Sequence, residues 1–320
     1  MVVSEFYEGQ GLGNQLWTYV ATRAIADRLN IGFAIKSPEK FKGHDIFSLD
    51  MGMYDEAIQH QIFTEETFYD HELNTFISDY DPSFLELNGN IEIKGNFQSE
   101  KYFLNDRKLL RKYLTLSPRK QASRIDKNTA VLYVRGGEYK RHKNLILPQS
   151  YWYAAINILK ENYGINNFVA VSDDDQYVKS ILPAIKIYEG NMTDDFFDLY
   201  DAKYAVISNS SWGYFPVALS DNKKITLAPE YWGRHNQSLR WASPANFYDE
   251  FKWIGKNGKI IDNQAAKISV DNSILYYKNN YIVKVKREQC IRKNLREIIP
   301  YNYRQILKKI IGRIFPRIIG

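Results

Sequence analysis

Three polar side chains directly follow short apolar segments in the second half of the chain. Arg135 follows residues 131–134, Asp173 follows residues 168–172, and Asn209 opens an Asn-Ser-Ser-Trp sequence. Short apolar segments bounded by polar residues predict buried β-strands. A guanidinium, a carboxylate and hydroxyls at the carboxyl ends of parallel strands would suit a ligand that carries phosphate and hydroxyl groups.

A glycine-rich turn near the N-terminus is the second candidate element. Gly11, Gly13, Asn14 and Gln15 lie between an apolar strand and a helix predicted over about 14–30. Glycines let the backbone approach a ligand closely, and the free N–H groups of a helix N-terminus favour an anion such as pyrophosphate. The third glycine of a dinucleotide fingerprint is absent, so a plain strand-to-helix turn is the alternative for this motif alone.

Arg135 is followed by two glycines and then by Glu138. Its guanidinium could grip a phosphate bidentately and offset the charge that develops on a leaving diphosphate. The alternative is a surface turn with an Arg–Glu pair, which contributes only about 0–1 kcal/mol. The glycines leave the arginine side chain uncrowded and favour ligand binding. Glu138 is the first candidate for a general base, with Glu8 and Asp195 as alternatives.

The Ser-Asp-Asp-Asp sequence at 172–175 allows two interpretations. One carboxylate, that of Asp173, could bind a ribose or a nucleobase. The same sequence would also cap a helix, and a metal site is a third possibility. In the next predicted turn, the polar groups suit a phosphate and the indole suits a nucleoside or sugar ring: Asn209, Ser210, Ser211 and Trp212.

The predicted elements indicate an α/β fold. From residue 129 onward strands alternate with helices, which is typical of a parallel sheet with right-handed crossovers. Strands are expected near 131–134, 168–171, 185–188, 204–207 and 225–227, with helices at 150–163, 174–182 and 194–200. A β-hairpin is expected over 268–285.

Length and composition predict more than one domain. A chain of 320 residues can form two cores. We expect an N-terminal, acceptor-side α/β domain over 1–125, a nucleotide-binding α/β domain over 126–262, and a C-terminal extension over 263–320. The single cysteine, Cys290, excludes an internal disulfide and favours a reducing compartment. The sequence shows neither a signal peptide nor an apolar run long enough to span a membrane.

Basic charge is concentrated at the C-terminus. From Lys284 onward eleven Lys/Arg face two Glu, whereas the preceding residues carry 32 Lys/Arg and 35 Asp/Glu. A nucleic-acid-binding domain is therefore disfavoured, because its positive charge would lie across a folded face. Residues 303–314 predict an amphipathic helix suited to an anionic membrane surface, although docking on the protein's own core is the alternative. Its apolar face comprises Ile306, Leu307, Ile310, Ile311 and Ile314, and its basic face Arg304, Lys308, Lys309 and Arg313.

Taken in order, these segments resemble glycosyltransferase family 11, the α-1,2-fucosyltransferases, in its bacterial form. Residues 10–17 resemble the family's Gly-Gly-Leu-Gly-Asn-Gln-Leu-Phe, residues 207–212 its Ile-Ala-Asn-Ser-Thr-Phe, and residues 228–232 its Ala-Pro-x-x-Trp. The resemblance implies two Rossmann-like domains of the GT-B type, a GDP-fucose donor, and inversion without a metal or another cofactor. Arg135 matches the first Arg of the family's His-x-Arg-Arg-x-Asp motif, which implies a contact to the donor pyrophosphate. Asp173 matches a position at the guanosine end.

The motif departs from the family at three positions. Tyr133 stands in place of the His, Gly136 in place of the second Arg, and Glu138 in place of the Asp. Beyond Trp212, residues 213–216 replace a Ser-Trp-Trp-Gly sequence. A lost cation at the diphosphate would cost roughly 1.5–3 kcal/mol of charge-assisted bonding unless another group compensates.

The sequence as a whole predicts a cytoplasmic glycosyltransferase, peripheral on the inner face of a bacterial membrane. It would move L-fucose from GDP-fucose to a galactose of a lipid-linked surface glycan precursor. A transferase with another nucleotide-sugar donor, and a non-catalytic sugar-nucleotide or glycan-binding module, are the two alternatives.

Overall fold

The computed structural model describes residues 1–70, 75–119, 122–231 and 240–281. The first half of the chain forms a four-stranded sheet, a small hairpin and two helices. Its elements are β1 (Val2–Glu5), α1 (Leu12–Leu29), β2 (Phe33–Lys36), β3 (Gln61–Thr64), β4 (Thr67–Asp70), β5 (Thr75–Ser78), β6 (Ile91–Lys94) and α2 (Arg107–Tyr113).

The first sheet is parallel throughout, in the order β2-β1-β6-β3. Strands β4 and β5 form a separate antiparallel hairpin. Helix α1 connects β1 to β2, as a parallel pair requires. Its N-terminus, like the loop that follows β6, therefore lies at the carboxyl edge of this sheet.

The second half of the chain forms a six-stranded sheet with helices between its strands. Its elements are β7 (Thr129–Val134), α3 (Gln149–Tyr163), β8 (Asn167–Ser172), α4 (Asp175–Ile181), β9 (Lys186–Ile187), α5 (Met192–Asp201), β10 (Tyr204–Ile207), α6 (Ser211–Leu219), β11 (Ile225–Pro229), β12 (Lys252–Ile254) and α7 (Asn263–Tyr281).

All pairs in this second sheet are parallel, and the strand order is β12-β11-β10-β7-β8-β9. The chain builds outward from β7 through β8 to β9, then returns to place β10 on the other side of β7. The order of strands therefore reverses between β7 and β10. Ligands of open α/β sheets bind in the crevice at the carboxyl ends of the strands at such a switch point.

These sheets confirm the expected α/β class with two Rossmann-like domains. The predicted division at residue 125 lies in the connection between β6 and β7 and stays a prediction. The hairpin expected over 268–285 is wrong, because residues 263–281 form helix α7. Its buried residues Ala266, Val270, Ser273 and Tyr277 recur at helical spacing, a period obscured by the β-branched and aromatic residues between them. The basic segment from 284 onward lies outside the described residues.

The two sheets share one hydrophobic core, which runs through the contact between α1 and α6. The ring of Trp17 in α1 stacks on that of Tyr214 in α6, with centroids 4.5 Å apart. Tyr248 continues the stack at 4.5 Å from Tyr214. Stacked aromatic pairs at this distance add about 0.5–1.5 kcal/mol to the free energy of burial, so this contact joins the domains firmly.

Helix α7 connects the end of the second half back to the first. The Tyr277 hydroxyl donates a hydrogen bond to Asp70 Oδ2 at 3.0 Å. The Tyr277 ring also packs with Phe68 and Ile77 of the β4–β5 hairpin. Within the described part of the chain, no helix has the length and apolar character that crossing a membrane requires.

The tight contact between α1 and α6 at Gly13 predicts that a single added methyl group will destabilise the protein. A β-carbon at Gly13 would lie 2.5 Å from the backbone carbon of Ser211 and 2.5 Å from the backbone nitrogen of Trp212. We expect Gly13→Ala to lower the free energy of unfolding by about 1–3 kcal/mol, because backbone atoms must move apart. Denaturant unfolding measures this, with Gly32→Ala as the control, since a β-carbon there meets nothing within 4 Å. Equal stability of the two variants would contradict the prediction.

Candidate functional site

Arg135 lies at the switch point, directly after β7. Its Nη1 forms an ion pair with Asp173 Oδ2 at 2.9 Å, and its Nη2 lies 3.6 Å from Glu138 Oε1. The guanidinium also lies over the ring of Tyr139, 5.4 Å from the centroid. The arginine side chain is about a quarter exposed, so it is held in place and still open to a ligand.

The two glycines after Arg135 are required by the packing around Asp173. The Gly136 N–H donates to Asp173 Oδ1 at 2.9 Å. A β-carbon at Gly137 would lie 2.3 Å from the Asp173 carboxylate, and one at Gly136 would lie 2.7 Å from Asp174 Cβ. The second arginine of the family motif would therefore collide with Asp174 in this loop conformation. The local backbone conformation therefore leaves no room for an arginine at position 136.

The consecutive aspartates at 173 and 174 have different partners: Asp174 caps a helix, and Asp173 contacts Arg135. Asp174 caps α4 by accepting a hydrogen bond from the Tyr177 N–H at 3.0 Å, and it also pairs with Lys140. The helix-cap interpretation of this run is thus confirmed for Asp174. Asp173 is left at the edge of the sheet, bound to Arg135 and to the Gly136 N–H.

Helices α1 and α6 both begin at this place without a side-chain cap. Their N-cap residues, Gly11 and Ser210, make no capping hydrogen bond. Helix α3 likewise has no side-chain cap at Pro148, whereas α2, α4 and α5 are capped by Asp106, Asp174 and Asn191. What distinguishes α1 and α6 is that their termini lie side by side, and uncapped N–H groups and helix dipoles in this arrangement suit an anion.

Asn14 and Ser211 connect the two helix N-termini. Asn14 Oδ1 accepts hydrogen bonds from Ser211 Oγ at 2.8 Å and from Gln98 Nε2 at 2.8 Å. The amide oxygen therefore has both of its acceptor positions filled. Gly13 completes the contact by allowing the close approach described above.

Two phenols lie beside Ser210, between the arginine and the helix termini. The hydroxyls of Tyr133 and Tyr139 are within hydrogen-bonding reach of the Ser210 side chain. Burial raises the pKa of both phenols, so they stay neutral. The Tyr133 ring packs on the Trp212 ring with centroids 4.7 Å apart, so this face of the indole is covered by Tyr133. A β-carbon at Gly213 would lie 2.8 Å from the Tyr133 ring.

Two of the predicted donor-binding side chains have structural partners instead. Gln15 is fully buried, with its Nε2 donating to the Lys40 carbonyl at 2.8 Å and its Oε1 accepting from the Lys42 N–H at 2.9 Å. Asn209 donates from Nδ2 to the Leu145 carbonyl at 3.1 Å. Both side chains therefore position loops beside the site, and direct contact with a donor stays a prediction.

Most of the expected residues lie near one another, whereas the side chains of Gln15 and Asn209 bond elsewhere. Trp232, in the predicted Ala-Pro-x-x-Trp sequence, lies outside the described residues. Gly11 is exposed, and a β-carbon there would meet nothing within 4 Å. The residues brought together at the switch point and at the helix N-termini are Gly11, Gly13, Asn14, Arg135, Glu138, Asp173, Ser210, Ser211 and Trp212.

Asp195, an alternative candidate for the general base, is a largely buried carboxylate of the second sheet's helices. It lies in the first turn of α5, 9% exposed, and its side chain has no hydrogen-bond partner among the described residues. Burial, with a contribution from Asp198, raises its pKa to about 7, against the opposing effect of Arg124. The sequence held a signal for it. Asn191 and Asp194 form the capping box of α5, which leaves the next carboxylate to face inward.

Gln98 was missed altogether. It lies in the loop after β6, four residues beyond the end of that strand, whereas Arg135 directly follows β7. The sequence gives no signal for it, because it does not directly follow an apolar strand. Elsewhere in the described ranges, no cluster of His, Cys, Asp and Glu has an arrangement suited to a metal ion.

Comparison with known proteins identifies the class. The family described as Glycosyl transferase family 11 matches residues 93–257, just over half of the chain. The chain belongs to this family and is a glycosyltransferase. The match begins just before the loop that carries Gln98 and includes Arg135 and the residues at the start of α6.

Individual relatives are distant. The alpha-1,2-colitosyltransferase of Escherichia coli is 28% identical over 166 residues, which cover 46% of this chain and 57% of that protein. The match thus spans little more than half of the relative's length. Among solved structures, FUT1 of Arabidopsis thaliana in complex with GDP is 10% identical, with a TM-score of 0.42 over 68% of each chain. The fucosyltransferase NodZ from Bradyrhizobium is 12% identical, with a TM-score of 0.38 over 68% of this chain and 93% of that one.

The raised pKa of Asp195 predicts a pH-dependent change in stability. In the unfolded chain an aspartate ionises near pH 3.9, whereas in the folded protein Asp195 ionises near pH 7. The cost of burying its charge is therefore absent below about pH 4, grows between these values, and is complete above pH 7. Asp195→Asn should stabilise the protein by about 1–3 kcal/mol at pH 8 and by almost nothing at pH 4.

Denaturant unfolding at both pH values measures this difference, with the exposed Asp249→Asn as the control. A stability gain of the same size at pH 4 and pH 8 would show that Asp195 does not carry the shifted pKa.

Proposed function

We propose that this protein is an inverting fucosyltransferase that moves L-fucose from GDP-fucose to the 2-hydroxyl of a galactose in a surface glycan precursor. The observation that carries the proposal is the meeting of the uncapped N-termini of α1 and α6 beside Arg135. This arrangement fits a diphosphate, and membership of family 11 makes a sugar diphosphate nucleotide the appropriate ligand.

The proposed diphosphate site uses three kinds of donor. The first N–H groups of α1 and α6 approach from two directions, and the amide nitrogen of Asn14 lies between them. Arg135 adds a planar guanidinium that can bind two phosphate oxygens at once. Donors held in place before the reaction stabilise the charge that builds on departing GDP, without reorganisation at that moment.

Asp195 supports the choice of guanine as the nucleobase. Guanine carries two adjacent N–H donors on one edge, and these match a carboxylate that is buried without a hydrogen-bond partner. Binding would also keep Asp195 ionised, because two N–H donors favour the charged form and lower its pKa. A uracil or adenine base would leave this carboxylate only partly satisfied.

The reaction we propose is an in-line displacement. The acceptor hydroxyl attacks the anomeric carbon of fucose from the face opposite the diphosphate, gives its proton to a base, and GDP leaves toward Arg135. Glu138 lies beside Arg135, on the leaving-group side, and is largely exposed. Glu8 lies on the exposed turn between β1 and α1, across the domain contact. Because Glu138 pairs with the arginine on the leaving-group side, we propose Glu8 as the base.

Two alternatives remain specific enough to test. The colitosyl-transferring relative suggests a donor that carries colitose, which is L-fucose without its 3-hydroxyl. The two donors differ by one hydroxyl, so a pocket that binds that hydroxyl would discriminate strongly between them. A binding module without turnover is the second alternative, and it would bind GDP without releasing it from any donor.

GDP release from GDP-fucose tests the proposed activity, with GDP-colitose, GDP-mannose and a UDP-sugar as competing donors and EDTA present throughout. Arg135→Ala should lower the rate about 10- to 100-fold, the loss expected of a charge-assisted bond to phosphate. Arg141→Ala is the matched control and should keep the rate, because Arg141 is exposed at the end of the short 3-10 helix Gly137–Arg141 that follows Arg135.

The outcomes separate the alternatives. Release from another donor alone would overturn the fucose proposal and keep the site, whereas loss of release in EDTA would overturn metal independence. With an acceptor present, Glu8→Gln should lower the rate more than Glu138→Gln, and the reverse order would return the base to Glu138.

We also propose that the basic residues 303–314 hold the protein on an anionic membrane surface in the cytoplasm. The support is the predicted amphipathic pattern and the local charge of that segment. Lys308→Glu with Lys309→Glu should abolish co-sedimentation with vesicles containing an anionic lipid. Wild-type binding to purely zwitterionic vesicles at equal strength would contradict an electrostatic anchor.

A further inference from the structure

Glu65, directly after β3, is a buried carboxylate to which the proposed reaction gives no role. It is 3% exposed, and three donors surround it. Its Oε2 accepts from the Asn96 and Phe97 N–H groups at 2.8 and 3.1 Å, and its Oε1 accepts from the Tyr102 hydroxyl at 2.8 Å. A carboxylate kept in the interior with this many donors fixes the segment that donates to it.

The segment it fixes is a strained turn after β6. Phe97 has a φ of +50°, a left-handed conformation that bulky residues rarely adopt, and its ring is fully buried. Such a conformation costs on the order of 1–3 kcal/mol and persists only where the surroundings impose it. Gly95 allows the turn to close on the carboxylate, because a β-carbon there would lie 2.5 Å from Glu65 Cβ.

The strained turn places Gln98 between the two domains. Gln98 Nε2 donates to Asn14 Oδ1 at 2.8 Å, and the Gln98 carbonyl accepts from Asn246 Nδ2 at 2.6 Å. The other donor to Asn14 Oδ1 is Ser211 Oγ. Gln98 is therefore fixed through its side chain to α1 and through its backbone to the second half of the chain.

The orientation of the Asn14 amide follows from these bonds. Both acceptor positions of its oxygen are filled, so the nitrogen on the other arm of the planar group must point away from Gln98 and Ser211. In the part of the chain that the structure describes, this nitrogen has no partner. It lies at the junction of the α1 and α6 N-termini, where the diphosphate site is proposed.

We propose that Glu65 and Gln98 are positioning residues for donor binding: Glu65 holds the strained turn, the turn holds Gln98, and Gln98 locks the Asn14 amide with its N–H groups facing the diphosphate. This inference rests on the proposed function. It adds two residues of the first domain that touch no substrate and set the direction of a group that does.

The chain of contacts predicts coupled effects on GDP affinity. Glu65→Ala and Gln98→Ala should each weaken GDP binding roughly five- to tenfold, the loss expected when one hydrogen bond is no longer aligned. The double variant should be no weaker than the weaker single variant, because both substitutions break the same chain. Glu65→Gln should restore most of the affinity, since its amide oxygen can still accept from the two N–H groups.

Gln98→Glu provides a variant that leaves the strained turn and Glu65 in place. Its carboxylate cannot donate to Asn14 Oδ1, so it should turn the amide over and weaken GDP binding at least as much as Gln98→Ala. Tyr113→Phe is the matched control for lost stability. It removes the hydroxyl of a buried tyrosine in the same half of the chain, and this hydroxyl donates to Asp27 Oδ2 at 3.0 Å. It should lower Tm and leave GDP affinity unchanged.

Isothermal titration of GDP into the full-length protein and each variant makes the test. The inference would be overturned if Gln98→Glu left the GDP affinity unchanged, or if the losses of the two single variants multiplied in the double variant. In either case, GDP binding by the wild-type protein would still support the proposed function. A wild-type protein that does not bind GDP would overturn both.

Discussion

The backbone contact between the first turns of α1 and α6 is the constraint on which the rest of the structure depends. Gly13 brings the two helices so close that no β-carbon fits between them. Behind this contact Trp17 and Tyr214 stack, and the two sheets share one core. The result is that two positive helix ends meet at one point. Electrostatic repulsion between them is tolerated because aromatic burial a turn further along holds the helices together.

The sequence carried enough information to place most of this site. Apolar strands followed by polar residues predicted that Arg135, Asp173 and Asn209 would gather at one sheet edge, because parallel strands share their carboxyl ends. What it could not supply was the direction of each side chain. Gln15 turns toward a loop backbone and Asn209 toward Leu145, since the nearest unsatisfied backbone groups lie there. Helix α7 was mistaken for a hairpin because its apolar spacing was obscured by β-branched and aromatic residues.

Departures from the family motif are explained by two local packing contacts, one between Tyr133 and Gly213 and one between Gly136 and Asp174. Tyr133 fills the space that Gly213 leaves, because any β-carbon at 213 would strike its ring. Gly136 is matched in the same way to Asp174, whose own position is fixed by capping α4. A larger residue at 136 and a side chain at 213 are therefore excluded by different neighbours. In the sequence the changes at 133, 136 and 213 look like independent losses of function, whereas in the structure each has a neighbour that explains it.

The return of α7 to the β4–β5 hairpin has a consequence for synthesis of the chain. The hydrogen bond between Asp70 and Tyr277 joins residues that are 207 positions apart. Until α7 leaves the ribosome, Phe68 and Ile77 have no cover from it, although the parallel sheet behind them can already form. Domains begin to fold as soon as they emerge, and exposed apolar strands at that stage favour misassembly. The hairpin is thus the part of the nascent protein most in need of a chaperone, and a premature stop before residue 277 would leave it uncovered.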